Sequence, residues 1–332
     1  MSRVRRRQFL IAAGALLAAP FPSAAQRQGK VWRIGFLMGF RRPASFDSSG
    51  YLSTILRGLR DLGYVEGKNS VFEWRFAEGR NELLPALAAE LVKLNVDVIV
   101  TAGTPATLAA QKATTTIPIV MIVGDPVGAG LIASLARPGG NTTGVSSLDV
   151  ELSPKLLELL LIVAPKASKV AVMVNPDNSA QYRTLKLAQD AAQRVGISVL
   201  ALEPRTAVEI ENAFPVMVQQ GAGAVLVAPD SLLFGSHVRQ IAELAAKHRL
   251  PSIGGDTGYA ETGCLLSYAA NGADLTRRQV IYVDKILKGA KPGDLPVEQP
   301  TKFDLVINLK TAKALGITIP RELLLRANRL IE

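Results

Sequence analysis

The 332-residue sequence is poor in the residues that usually carry chemistry: it has one cysteine, two histidines and 5% aromatic residues. The lone thiol, Cys264, excludes an internal disulfide and any Cys-x-x-Cys motif, so packing alone must hold the fold. His237 and His248 fall on one predicted helix with no cysteine or aspartate at ligand spacing, which argues against a metal site. There is no G-x-S-x-G nucleophile elbow and no phosphate-binding loop. Gly128-Ala-Gly130-Leu-Ile-Ala133 matches the dinucleotide pattern, with Asp149 downstream, but it follows the fourth predicted strand rather than the first. The expectation is a protein with no catalytic residue, no metal and no cofactor. Long apolar runs are also missing. The run Phe9–Ala19 falls well short of the roughly twenty residues needed to span a bilayer, so no stable membrane insertion is expected.

What is present begins at the N-terminus. Arg3, Arg5, Arg6 and Arg7 precede that apolar run, and Ser23-Ala-Ala25 follows it: a charged region, a short apolar region and a small-residue cleavage site. Arg6-Arg7-Gln8-Phe9-Leu10 reads as a twin-arginine export signal. Residues 1–25 are therefore expected to be a signal peptide cleaved after Ala25. No cysteine follows to bear a lipid, so the mature protein is expected to be periplasmic. Those four arginines account for part of the net charge of +10, which leaves +6 without them. The remaining Lys and Arg are mixed with Asp and Glu along helices, unlike a nucleic-acid-binding face.

After Lys30 strands and helices alternate. Val31–Met38 is a continuous apolar strand, residues 51–62 form a helix, Ser70–Ala77 a strand, and Leu83, Leu84, Leu87, Ala88, Leu91 and Val92 mark a helix by their three- and four-residue steps. Strands at Val96–Thr101 and Ile117–Val123 alternate with helices predicted at Pro105–Ala113 and Gly128–Ala136. The pattern restarts at Lys155 and runs through strands at Val170–Val174, Ile197–Leu202, Ala224–Ala228 and Pro251–Ile253. The tail supplies a strand Cys264–Tyr268, a helix Leu275–Leu287, a Gly/Pro-rich connector 289–300, a strand Phe303–Asn308 and a last helix. Near-continuous Val/Ile strands between amphipathic helices indicate parallel sheets covered on both faces. The fold class is α/β: two doubly wound parallel-sheet lobes joined by a multi-crossover hinge. The expected division is 31–144 plus 264–292 for lobe 1, and 145–263 plus 293–332 for lobe 2. Hinged lobes enclose a ligand.

In open parallel sheets ligands sit beyond the carboxyl ends of the strands. Gly103-Thr104-Pro105 follows the third strand, with Thr104 as a predicted N-cap and free backbone N–H groups for a carboxylate. Asp125 follows the fourth strand, and Asn175, Asp177, Asp230 and Asp256 occupy matching positions in the second half. Such residues also serve as plain turn formers. Asp125 is expected to pair with a ligand ammonium. Phe40, Tyr182, Phe234 and Tyr259 lie in the same loops and offer ring surfaces.

Arg33-Ile-Gly-Phe-Leu-Met38, Gly58-Leu-Arg-Asp-Leu-Gly-Tyr-Val-Glu-Gly-Lys-Asn69, Gly103-Thr-Pro-Ala106, Asp125-Pro-Val-Gly-Ala-Gly130, Ser134-Leu-Ala-Arg-Pro-Gly-Gly-Asn141 and the segment Pro300–Gly316 occur in that order. With these the chain resembles the ABC-transporter solute-binding proteins of tryptophan/tyrosine type, over essentially the whole mature length. The resemblance implies a type I periplasmic-binding fold with three crossovers, a single small polar, amino-acid-like solute, and ABC permease and ATPase subunits as partners. It places cleft residues at Thr104, Asp125, Asn175, Asp177 and Asp230. A monomer is expected. An exported α/β enzyme with a bound cofactor, or a sensory receptor of the same fold, are the alternatives.

Overall fold

The computed structural model describes residues 30–332 apart from Ser49 and Ser231, and the expected signal peptide lies outside the described residues. Two sheets form among these residues. The first holds β1 (Trp32–Met38), β2 (Ser70–Phe76), β3 (Val98–Ala102), β4 (Ile119–Val123) and β5 (Thr142–Ser146), in the order β2-β1-β3-β4-β5 and all parallel. Ile34, Phe36, Leu37 and Met38 of β1 are all buried, because helices cover both faces. On one face α1 (Gly50–Asp61) buries Leu52, Ile55 and Leu59. On the other lie α2 (Leu84–Lys93) and α3 (Thr104–Ala113).

Two features of this half differ from expectation. The helix predicted at Gly128–Ala136 does not form: the chain makes turns there, with Gly130 at φ +70° and the Asp125 side chain capping the Gly128 N–H at 2.8 Å. The strand β5, unmarked by any apolar run, supplies the sheet edge. Its Gly144 sits at φ +140° against the Met121 backbone, so close that a Cβ would overlap the Met121 carbonyl oxygen.

The second sheet contains β6 (Lys169–Met173), β7 (Ser198–Leu202), β8 (Ala224–Val227), β9 (Ser252–Gly254), β10 (Leu266–Ala270), β11 (Phe303–Asn308) and β12 (Arg329–Ile331), ordered β12-β11-β10-β9-β8-β6-β7. It is not wholly parallel: β10 and β11 pair antiparallel, because the chain leaves and re-enters this lobe between them. Its faces are covered by α4 (Ser153–Val163), α5 (Ala180–Arg194), α6 (Ala207–Gln219), α7 (Val238–Lys247) and α8 (Gly258–Thr262). After α9 (Gly272–Leu287) come α10 (Leu309–Leu315) and α11 (Arg321–Arg326).

The chain crosses between the lobes three times: after Ser146, between Ala270 and Gly272, and between Glu298 and Phe303. Each crossing lies downstream of the expected boundary. The segment 264–292 does not belong whole to the first lobe: β10 pairs with β9 in the second sheet, and only α9 packs on the first, against α1 and β3–β5. Glu298 bridges Val145, so the connector stays with the first sheet beyond residue 293.

Candidate functional site

The strand ends of both sheets and the crossovers surround one cleft of about 1070 Å³. Its first-lobe wall is built by two loops. After β3, Gly103 takes φ +89°, a left-handed value open to glycine, and turns the chain directly into α3. Gly103 therefore caps the helix in place of Thr104, which is the first helical residue and makes no cap bond. The backbone N–H groups of a helix's first turn have no intrahelical partner and carry the positive end of the helix dipole. Thr104 is 2% exposed and faces the cleft, so its hydroxyl and this turn make an anion-accepting corner.

Phe40 and Tyr51 form an aromatic side to the same wall, their ring centroids 6.2 Å apart and edge-to-face. The Tyr51 hydroxyl donates to Gln279 Oε1 at 2.9 Å, and Gln279 Nε2 in turn donates to the carbonyls of Thr101 and Val120. A fully satisfied buried amide thus ties the ring to the backbone of the sheet.

Acidic groups also line the cleft. Asp149 lies on the first crossover, its Cβ 3.4 Å from where a Gly124 side chain would begin. Since Ala102 and Ile122 are register partners, Thr104 and Gly124 sit on adjacent strand ends, and Asp149 comes close to the anion-accepting corner. Burial pushes the Asp149 carboxyl up to about 7, with the Asp256 and Glu151 charges adding to it and the Ser147 hydroxyl bond opposing it. Burial likewise raises Asp256 to about 6, against the bond from the Gly258 N–H. Asp230 is raised by burial too, although it accepts bonds from Asn175, Asn178 and the Leu232 N–H, each at 2.8 Å. Those donors occupy most of its acceptor capacity.

Of the residues selected from sequence, the structure brings Phe40, Gly103, Thr104, Asp230 and Asp256 to the cleft wall. Four do not line it. Asp125 is buried and satisfied by the Gly128 N–H and by the Arg183 guanidinium, so its charge is already paired. Asn175, 1% exposed, serves to hold Asp230. Asp177 meets Arg205 at 3.4 Å on the surface, and Tyr182 points out at 55% exposure. Phe234 lines the cleft, while Tyr259 is buried beneath it. His237 and His248 flank α7, and among the described residues no group of three acidic, histidine or cysteine side chains is arranged to hold a metal. Sequence reasoning missed Tyr51, Asp149 and Gln181. Tyr51 and Gln181 lie in first helical turns, and Asp149 lies on a crossover whose strand gave no signal.

A family model described as ABC transporter substrate binding protein matches residues 48–331. A tyrosine-binding protein of Clostridioides difficile (strain R20291) is 30% identical over 263 residues, spanning 79% of this chain and 75% of its own length. The crystal structure of a conserved domain protein from Vibrio cholerae superposes with a TM-score of 0.83 at 30% identity, covering 91% of this chain and 100% of that one. An ABC domain from Streptococcus pneumonia in complex with L-Trp gives a TM-score of 0.81 at 27% identity, with 90% and 99% covered. No helix among the described residues is long and apolar enough to cross a membrane.

Proposed function

Because the chain belongs to the ABC transporter substrate binding protein family, we propose that it captures an amino-acid-like solute between its lobes and hands it to a membrane permease driven by an ATPase. The observation that carries the ligand class is the pairing of opposite demands in one cleft: the N-terminal turn of α3 at Thr104 wants an anion, and Asp149 and Asp256 want a cation. A zwitterion meets both. Burying an unpaired charge costs several kcal/mol, whereas micromolar binding yields only about 8 kcal/mol, so a ligand with one charged end unmet would bind poorly. The carboxylate sits at Thr104 and the ammonium at Asp149 and Asp256, rather than at the already paired Asp125.

The side chain of the ligand meets Phe40 and Tyr51, which favours an aromatic amino acid, in keeping with the tyrosine and L-Trp that the two relatives' descriptions name. The cleft acts by binding and release and performs no reaction on its guest. Residues 1–25 direct export and are removed after Ala25, leaving a periplasmic monomer. The test is a thermal-shift and calorimetric screen of the twenty amino acids, their decarboxylated and deaminated analogues, and a set of sugars and polyols, since a ligand of the folded state raises its melting temperature. Micromolar or tighter binding of L-tyrosine or L-tryptophan, lost in both kinds of analogue, is the expected result. A sugar or polyol that binds where no amino acid does would overturn the assignment.

A further inference from the structure

Phe234, in the loop between β8 and α7, is half-buried and lines the cleft, so part of its ring is open to a guest. The loop that carries it is well held. The Asp230 side chain accepts the Leu232 N–H at 2.8 Å, and the Asp230 carbonyl accepts the Phe234 N–H at the same distance. Asn175 and Asn178 in turn fix the Asp230 carboxylate. Leu232 and Leu233, 5% and 0% exposed, anchor the chain just before the ring. Beneath it lies the buried Tyr259 ring, with centroids 5.1 Å apart, whose hydroxyl donates to the Ala228 carbonyl at 3.3 Å.

Two groups of contacts establish what Phe234 faces. The first places its tip beside Asp256. Phe234 Cζ lies 2.6 Å, and Asp256 Oδ1 3.2 Å, from the point that a Gly258 Cβ would occupy. A guest whose ammonium reaches Asp256 therefore carries its Cα close to this ring. The second group crosses between the lobes. The Gly79 N–H donates to the Gly39 carbonyl at 2.8 Å, and a Gly79 Cβ would lie 2.9 Å from Ser236 Oγ and 3.5 Å from Leu232 Cδ1. The lip of the first lobe thus meets the loop on both sides of Phe234, and Phe40 follows Gly39 directly. Burial and then the Arg41 charge lower the His237 imidazole, which sets Arg41 near the end of the same loop. The two phenyl rings nevertheless stay apart. Among the described residues Phe234 has its ring contact with Tyr259, and Phe40 has its own with Tyr51 and Phe76.

We propose that Phe234 is a specificity-determining residue that covers the guest's aromatic side chain from the second lobe, opposite Phe40 and Tyr51 on the first. The inference rests on the amino-acid reading of the cleft and narrows it to planar side chains. An aromatic ring can meet both lips at once in offset or edge-to-face contact, which adds to the gain from burial. A branched aliphatic side chain fills less of the space and leaves one lip without partner atoms. The guest's ring is then the apolar link between the lobes when they close.

The test uses the tighter-binding of L-tyrosine and L-tryptophan, with L-leucine titrated by displacement, on the wild type and on Phe234→Leu, which keeps an apolar side chain over Tyr259. The wild type is expected to prefer the aromatic ligand at least a hundredfold. Phe234→Leu is expected to weaken that ligand about tenfold and to change leucine less than threefold. In wild-type protein with labelled phenylalanine, magnetisation transfer between the ligand ring and Phe234 is expected by NMR. An unchanged aromatic affinity in Phe234→Leu, an equal loss on leucine, or no transfer to Phe234 overturns the assignment while the amino-acid reading stands. Should Phe234→Leu not fold, the wild-type transfer decides alone. If the wild type binds no amino acid at all, the reading beneath it fails as well.

Discussion

The Asp125 carboxylate, just past the end of β4 in the first lobe, accepts a hydrogen bond from the Arg183 guanidinium in the first turn of α5 in the second. The carboxylate side chain is 9% exposed and the guanidinium 50%, and Glu151 of the first crossover stands 3.8 Å from the same arginine. The pair ties the lobes together beside the cleft. Gly128 makes room for it: a Cβ there would overlap Asp125 Oδ2 and come within 2.7 Å of Arg183 Nη1.

Arg183→Ala is expected to favour the open arrangement. Exposed ion pairs contribute roughly 0–1 kcal/mol and removing a partner from a buried one costs roughly 3–5, so a half-exposed pair with a buried carboxylate lies near 1–2. That corresponds to roughly a tenfold loss of ligand affinity, carried by faster dissociation. Gly128→Ala should act in the same direction without changing any charge. Stopped-flow release rates and ligand-free small-angle scattering check both, and unchanged release in the two variants would show that the pair does not hold the closed form.

The two raised carboxyl groups give affinity and stability opposite responses to pH. Asp149 near 7 and Asp256 near 6 stand above the value of about 3.9 for a free aspartate. The folded chain therefore holds protons that the unfolded chain has released. Their contribution to stability is complete below about pH 4 and is lost as pH rises through 6 and then 7. An ammonium ligand, by contrast, requires them ionised. Between pH 5 and 8 the ligand-free melting temperature of the wild type, relative to Asp149→Asn/Asp256→Asn, should fall, while wild-type affinity for the amino acid should rise. Calorimetric scans and titrations across that range test the signs.

Thr104→Val removes a hydroxyl from the corner proposed to receive the carboxylate while keeping its volume. We expect about a tenfold loss of affinity for the amino acid, near 1.4 kcal/mol, and a smaller loss for its carboxamide. Equal losses for both ligands would place the carboxylate elsewhere.

Gly144→Ala addresses the fold rather than the ligand. The backbone at φ +140° disfavours any side chain, and a Cβ would collide with Met121 main-chain atoms that cannot rotate away. Strain and overpacking of roughly 1–3 kcal/mol each imply a loss of about 3 kcal/mol in denaturant unfolding.

Most strands and helices were legible because burial on both faces leaves near-continuous Val/Ile runs, as in β1 and β8, and because helices such as α2 carry an unbroken 3–4 pattern. What escaped had no such signature. The edge strand β5 is Thr-Thr-Gly-Val-Ser and β12 is Arg-Leu-Ile, both too short and mixed to stand out. The helix predicted from Gly128 failed because turn geometry set by Asp125 outweighs the apolar spacing of Leu131, Ile132 and Leu135. At the site, strand-end reasoning located the right loops but could not tell a carboxylate facing the cleft from one satisfied by its own turn or by a cation on the other lobe. Asp256 and Asp125 look alike in sequence, and only the position of Arg183 separates them.

The late helix α9 has a consequence for how the chain matures. Val280, Tyr282, Val283, Ile286 and Leu287 complete the core over β1 and β3, yet they lie more than 130 residues after the last strand of that sheet. A nascent chain that has emerged as far as β9 carries a first half with one apolar flank covered by α1 alone. Synthesis must run almost to its end before that flank is sealed, which leaves a long interval in which a holding chaperone has something to grip. A chain cut short just before Gly272 should accordingly aggregate rather than persist as an independent N-terminal domain.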